Sequence, residues 1–247
     1  MRRFVITSAF IAATALPGFA WQMRPKSQKE QQAVQAMLQA QTPDDRIKAA
    51  NDLITNFADT QFKSYALFIE ADSYFQKNDA DKAIVFGEQA IEADPKNYQA
   101  NVLVAKAYAS TTHNNDLDKA DKIAKIDKNG HDALTNIASA PKPNPNLPDD
   151  QWNQVKNDLQ GQAYYALGVA AVYGGKTDDA NADFQKTADM DQDPTDLIRA
   201  ARAFLDAKKP DQAIPLLDKA NASPQANAQI KSIIASDKTR AQAMMKK

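Results

Sequence analysis

In residues 64–77, "SYALFIEADSYFQK", apolar positions return at the spacing of one helix face, with Leu67, Ala71 and Tyr74 at i, i+4 and i+7. After Asn78-Asp79 the pattern resumes in "ADKAIVFGEQAIEADP", where Ala83 and Ala90 stand seven apart and Pro95 closes the stretch. This predicts two helices, roughly 64–77 and 80–93, joined by a turn at 78–79. Small side chains at 71, 83 and 90 let the two axes approach closely, and Leu67 and Tyr74 fill the space beside them. Pro95 is expected to end the second helix and open the next, because proline is tolerated in a helix only in its first turn.

The unit recurs. Residues 98–110, "YQANVLVAKAYAS", place Ala105 and Tyr108 where Ala71 and Tyr74 stood, 34 residues on. Residues 161–191 repeat it with Leu167, Gly168, Gly175, Ala180 and Phe184, and residues 194–222 with Leu197, Ala201, Phe204, Ala213 and Ala220. A helix-turn-helix of this length, with small residues at its 8th, 20th and 27th positions and an Asp-Pro ending, resembles the tetratricopeptide repeat family in an exported bacterial form. The resemblance covers about residues 43–222 and is best over 64–97. It implies an all-α chain, a right-handed superhelix (α-solenoid) of helix-turn-helix units.

The flanks and the centre depart from the repeat. "TPDDRIKAANDLITNFAD" suits a second helix with Ile47, Ala50, Ile54 and Phe57 on one face, and 28–40 is either its partner or a loose arm. In the copy beginning at Tyr98 the turn is three residues longer, and Asp127 stands where the last small residue belongs. Its second helix is expected to run to about Ser139 despite Gly130. The four prolines of 141–148, "PKPNPNLP", favour a stiff extended segment. A long helix then follows, capped by Asp149 or Asp150 and carrying Trp152, Val155 and Leu159 as an apolar stripe. Ile230, Ile233, Ile234, Ala241 and Met244 make the last stretch a capping helix. The expected organisation is thus an arm or helix at 21–42, repeats at 43–140, a linker at 141–148, repeats at 149–222, and a cap and tail at 223–247.

The first twenty residues follow a different logic. Arg2 and Arg3 precede an apolar run from Phe4 to Leu16, then Pro17 and the small residues Gly18 and Ala20, which is the layout of a secretory signal with cleavage near Ala20-Trp21. The expected location is a periplasm or the cell exterior. The chain has no cysteine, so lipid attachment through a cleavage-site cysteine is excluded and packing alone must hold the fold. A formal net charge of -1 with no concentrated basic stretch argues against nucleic acid as a partner. No later segment is apolar enough to cross a membrane.

Catalytic patterns are missing. There is no cysteine nucleophile, no G-x-S-x-G and no phosphate-cradling glycine loop, and Gly174-Gly175 suits a turn between paired helices. His113 and His131 lack partners at metal-ligand spacing and read as solvated turn residues. "DMDQDPTDLIRA" opens like a calcium loop, but Pro194 and Ala200 occupy the positions that need glycine and glutamate. No enzyme activity, cofactor or metal is expected.

What the resemblance adds is a surface. In the family, first helices line a concave groove through recurring positions, which here carry Tyr65, Phe68, Asp72 and Phe75, then Val102 and Lys106, then Tyr165, Val169 and Tyr173, then Ile198, Arg202 and Asp206. Aromatics with isolated charges suit an extended peptide or a partner helix. Spacing alone leaves Phe68 and Val169 open between groove and core, and favours Tyr65 and Tyr165. The lysine, asparagine and arginine with which some family members grip a chain terminus are absent. The implied role is a non-catalytic envelope scaffold that binds another protein. The alternatives are a periplasmic binder of small ligands or cations, and an obligate accessory subunit.

Overall fold

Eleven helices order the described residues, 23–190 and 193–246, of the computed structural model. They are α1 (Gln28–Gln39), α2 (Pro43–Asn56), α3 (Lys63–Gln76), α4 (Ala80–Ala93), α5 (Tyr98–Thr111), α6 (Lys119–Ser139), α7 (Asp149–Tyr173), α8 (Thr177–Met190), α9 (Pro194–Asp206), α10 (Pro210–Ala222) and α11 (Ala228–Met245). The expected export signal and its expected cleavage point lie outside the described residues. So do the second aspartate of the 189–193 run and its neighbour.

Local chemistry sets most of the helix starts. Ser27, Thr42, Asp79, Asn97, Asp193 and Asn227 each accept a hydrogen bond from a backbone N–H of the first turn they precede. Proline opens α2, α9 and α10. Two expectations are corrected here. Pro95 does not start α5; it lies in the turn after α4, and Asn97 supplies the cap. Nor do Asp149 and Asp150 cap α7, because Pro148 stands at the cap without a side-chain bond. The two acids occupy the first turn instead, where the helix dipole favours negative charge.

The turns inside three helix pairs are closed the same way. Asn78, Gly175 and Lys208 take positive φ of 60°, 78° and 59°. Each is followed by a residue whose N–H reaches back to the preceding helix: Asp79 to Tyr74 O at 2.9 Å, Lys176 to Ala171 O and Lys209 to Phe204 O, both at 2.8 Å. The α5–α6 pair lacks this closure. Its enlarged turn, 112–118, uses Asp116 instead, which accepts from His113 N at 2.9 Å and pairs with Lys122.

Every helix packs on the next, and first helices also pack on first helices, with α3 on α5, α5 on α7, α7 on α9 and α9 on α11. The stacking continues across 141–148, since α5 and α6 both pack on α7. That segment stays non-helical, but it bends through a turn in which Leu147 N–H donates to Asn144 O at 2.9 Å. α1 is a true partner of α2: Val34 and Met37 pack with Ala50 and Leu53. Leu53, absent from the expected stripe, is the fully buried centre of the α2 face, while Ile54 and Phe57 flank it half-buried. In α6 the buried residues are Ile126, Asn129, Gly130, Ala133 and Ile137. The missing small residue at 127 is therefore replaced three positions on by Gly130, whose Cβ, if it had one, would lie 2.8 Å from Leu167. The C-terminal core is continuous from α5 to α11, with Phe184 and Phe204 meeting edge to face at 5.5 Å. α11 closes it through Ile234 and Ala241.

Candidate functional site

Because first helices stack on first helices, they form an inner layer whose outward face carries the predicted positions. Ten of the twelve line two neighbouring hollows. The first, about 200 Å³, brings together Phe68, Asp72 and Phe75 of α3, Val102 and Lys106 of α5, and Gln162 of α7. The second, about 320 Å³, is formed by Tyr165, Val169 and Tyr173 of α7, Arg202 and Asp206 of α9, and Arg240 of α11, with His113 and Arg199 beside them. Tyr65 and Ile198 line neither hollow. Tyr65 stacks on Phe68 at 6.2 Å between ring centres, and Ile198 is core.

Burial divides the predicted residues further. Phe68, Asp72 and Phe75 are half-buried, and Phe75 packs against no core cluster. Val102, Tyr165 and Val169 are 2%, 3% and 1% exposed, so they form the floor rather than the walls. Tyr165, favoured by the sequence over Val169, is as deeply placed as Val169. Arg202 is exposed.

Between the hollows runs a buried polar bridge. Lys106 Nζ donates to Gln162 Oε1 at 3.0 Å and lies 3.0 Å from Asp196 Oδ2, while Arg199 Nη1 donates to Asp196 Oδ1 at 2.8 Å. Burial alone would raise the Asp196 pKa, but the charges of Lys106 and Arg199 outweigh it and hold the carboxyl below its ordinary range. The opposite balance holds at Asp72. Burial pushes it up, opposed by the hydrogen bond from Gln76 Nε2 at 2.6 Å and by the charges of Arg46 and Lys106. Burial also pushes the Tyr65 hydroxyl up to about 12 and raises Tyr165 and Tyr173, the last also through Asp206. All three are neutral hydrogen-bonding groups at physiological pH.

Sequence reasoning missed Gln99 and Gln162 in the first hollow and Arg199 and Arg240 in the second. The signal for Arg240 was present: it stands 34 residues after Asp206, one repeat on, because α11 continues the register of the first helices. His113, read as a solvated turn residue, is exposed but sits at the rim of the second hollow. His131 contacts Asp127 O at 2.7 Å through Nδ1. Among the described residues no group of three or more His, Asp or Glu side chains is arranged to hold a metal ion. Nor is any described helix long and apolar enough to cross a membrane.

One repeat match and one solved structure agree with this architecture. Residues 64–97 match the tetratricopeptide repeat family. TTC0263, a tetratricopeptide repeat protein of Thermus thermophilus, superposes with a TM-score of 0.52 at 15% identity, over 84% of this chain and 98% of its own. The tetratricopeptide repeat domain of P58(IPK) aligns over 88% of this chain and 66% of its own at 13% identity, with a TM-score of 0.34. No curated protein sequence matches the chain. The chain thus has the fold of an all-helical solenoid of stacked helix-turn-helix units, and its residues 64–97 match one tetratricopeptide repeat. Such arrays serve in general as scaffolds for protein–protein interaction.

Proposed function

We propose that the concave face binds an extended segment of another protein, and that the chain acts as a non-catalytic scaffold in the cell envelope. The observation that carries this is the convergence of side chains from α3, α5, α7, α9 and α11 on two adjoining hollows. Rigid helices present aromatic rings, uncharged tyrosines and isolated charges along one line, which suits a segment with alternating side chains and an unfolded backbone. The envelope location is supported by the basic start, apolar run and small residues of 1–20.

A photo-crosslinking phenylalanine analogue tests the groove. Placed at Phe75, it is expected to capture a discrete partner in cells; placed at exposed Val85 of α4 it is expected to capture none. Equal capture at both positions, or capture only at 85, would move the binding surface off the concave face.

A further inference from the structure

We infer that the second hollow is built for side-chain carboxylates, so that the partner segment carries acidic residues where it crosses α9 and α11. This rests on the groove reading and specifies its chemistry at one end. Three guanidinium groups, those of Arg199, Arg202 and Arg240, line the same hollow. Two are partly engaged: Arg199 Nη1 donates to Asp196, and Arg202 Nε donates to Asp237 Oδ2 at 2.8 Å. Those contacts fix the two guanidinium planes and leave further N–H donors of each free, since an arginine offers five. Arg240 is exposed and has no hydrogen-bond or ion-pair partner among the described residues.

The acid on the same wall, Asp206, is held by neutral donors rather than by one of the arginines. Asp206 Oδ2 already accepts from Asn114 N at 3.0 Å, and the Tyr173 hydroxyl is hydrogen-bonded to it. The charged side chains that line the hollow are three arginines and one aspartate; Asp196 and Asp237 pair with Arg199 and Arg202, which leaves Arg240 without an ion-pair partner among the described residues. Tyr165 and Val169 make an apolar floor that lowers the local dielectric and strengthens an ion pair formed above it. Three guanidinium groups present more donors than one carboxylate can accept. The match is therefore to two or more acidic side chains in sequence rather than to a single chain terminus.

The test uses two fluorescein-labelled peptides, acetylated and C-terminally amidated, (Glu-Ser)6 and (Gln-Ser)6, titrated with the full chain at low salt and read by fluorescence anisotropy. The acidic peptide is expected to bind at least about tenfold more tightly, the size of one good charge contact. The Arg240→Gln variant, at a side chain with no partner among the described residues, is expected to weaken the acidic peptide about fivefold and leave the other unchanged. Equal binding of the two peptides, both weakened by Phe75→Ala, would overturn the acidic assignment and leave the groove reading standing. Preferential binding that Arg240→Gln does not touch would place the acidic site elsewhere and also overturn it. Failure of both peptides to bind would overturn it as well, and capture at position 75 would then decide separately whether the groove itself stands.

Discussion

Repeats 64–97 and 161–190 share a register and an intra-repeat turn, yet they divide large and small residues in opposite ways. In the first, Ala71 on α3 faces Gly87 on α4, and the gap is filled from the next repeat by Val104. In the second, the residue equivalent to Gly87 is Phe184, fully buried, and the residue equivalent to Ala71 has shrunk to Gly168. A Cβ on Gly168 would come within 2.4 Å of the Phe184 ring, and one on Gly87 within 2.5 Å of Val104. What a repeat conserves is the volume between its helices, and either helix or the following repeat can supply it.

The largest expected effect breaks this arrangement at its ring. Phe184→Ala empties the space over Gly168 and removes the edge-to-face contact with Phe204, at a cost of about 3–5 kcal/mol. Because a solenoid is stabilised by neighbour contacts, hydrogen exchange is expected to show protection lost first across α7–α10 while α1–α4 keep theirs. Uniform loss across all helices would show that the array behaves as one cooperative unit.

Next comes Glu70, which stands where Val104, Leu167 and Ala200 stand in the other repeats. It is 3% exposed and has no hydrogen-bond partner among the described residues, and burial raises its pKa from 4.5 to about 7. The folded state thus holds this proton more tightly than the unfolded chain. Its contribution is fully present below pH 4.5 and is lost as pH rises through about 7. Chemical denaturation across that window should show Glu70→Gln matching the parent chain at pH 4 and exceeding it at pH 8 by about 3 kcal/mol. A parallel offset at both pH values would show that Glu70 stays charged in the fold.

Smaller effects compare two of the helical glycines, Gly87 and Gly130. Gly87→Ala meets Val104, which is β-branched, fully buried and stiff, and is expected to cost about 1–2 kcal/mol after the gain in helix propensity. Gly130→Ala meets both Cγ and Cδ2 of buried Leu167 at 2.8 Å, but leucine can turn about two side-chain torsions where valine has one, so the cost is expected to be smaller, about 1 kcal/mol. Thermal unfolding of the two variants side by side checks the order. A larger loss for Gly130 would mean that the α6–α7 contact is the tighter of the two.

Much of the fold was legible, and particular residues show why. Ala71, Ala83 and Ala90 are all 0% exposed, as their spacing required, and the over-long α6 and α7 were visible because their apolar periodicity runs past the length of a repeat helix. The lining of the two hollows was half legible. Family register located Phe75, Arg202 and Asp206, but it could not say that Tyr165 lies on the floor or that Lys106 is tied to Asp196, ninety residues away in the chain. Periodicity reports which face of a helix a residue occupies, not how deeply the neighbouring helices cover it.

The sequence by itself determined the helix pairs, their turns and their order of stacking, because helix periodicity, cap residues and small-residue spacing are local properties of the chain. Only the tertiary structure decided which side chain fills each gap, where α6 takes its register and which arginines meet in one hollow. Those outcomes depend on volume and charge brought together from helices far apart in sequence: Gly130 under Leu167, Phe184 over Gly168, Arg199 beside Arg240.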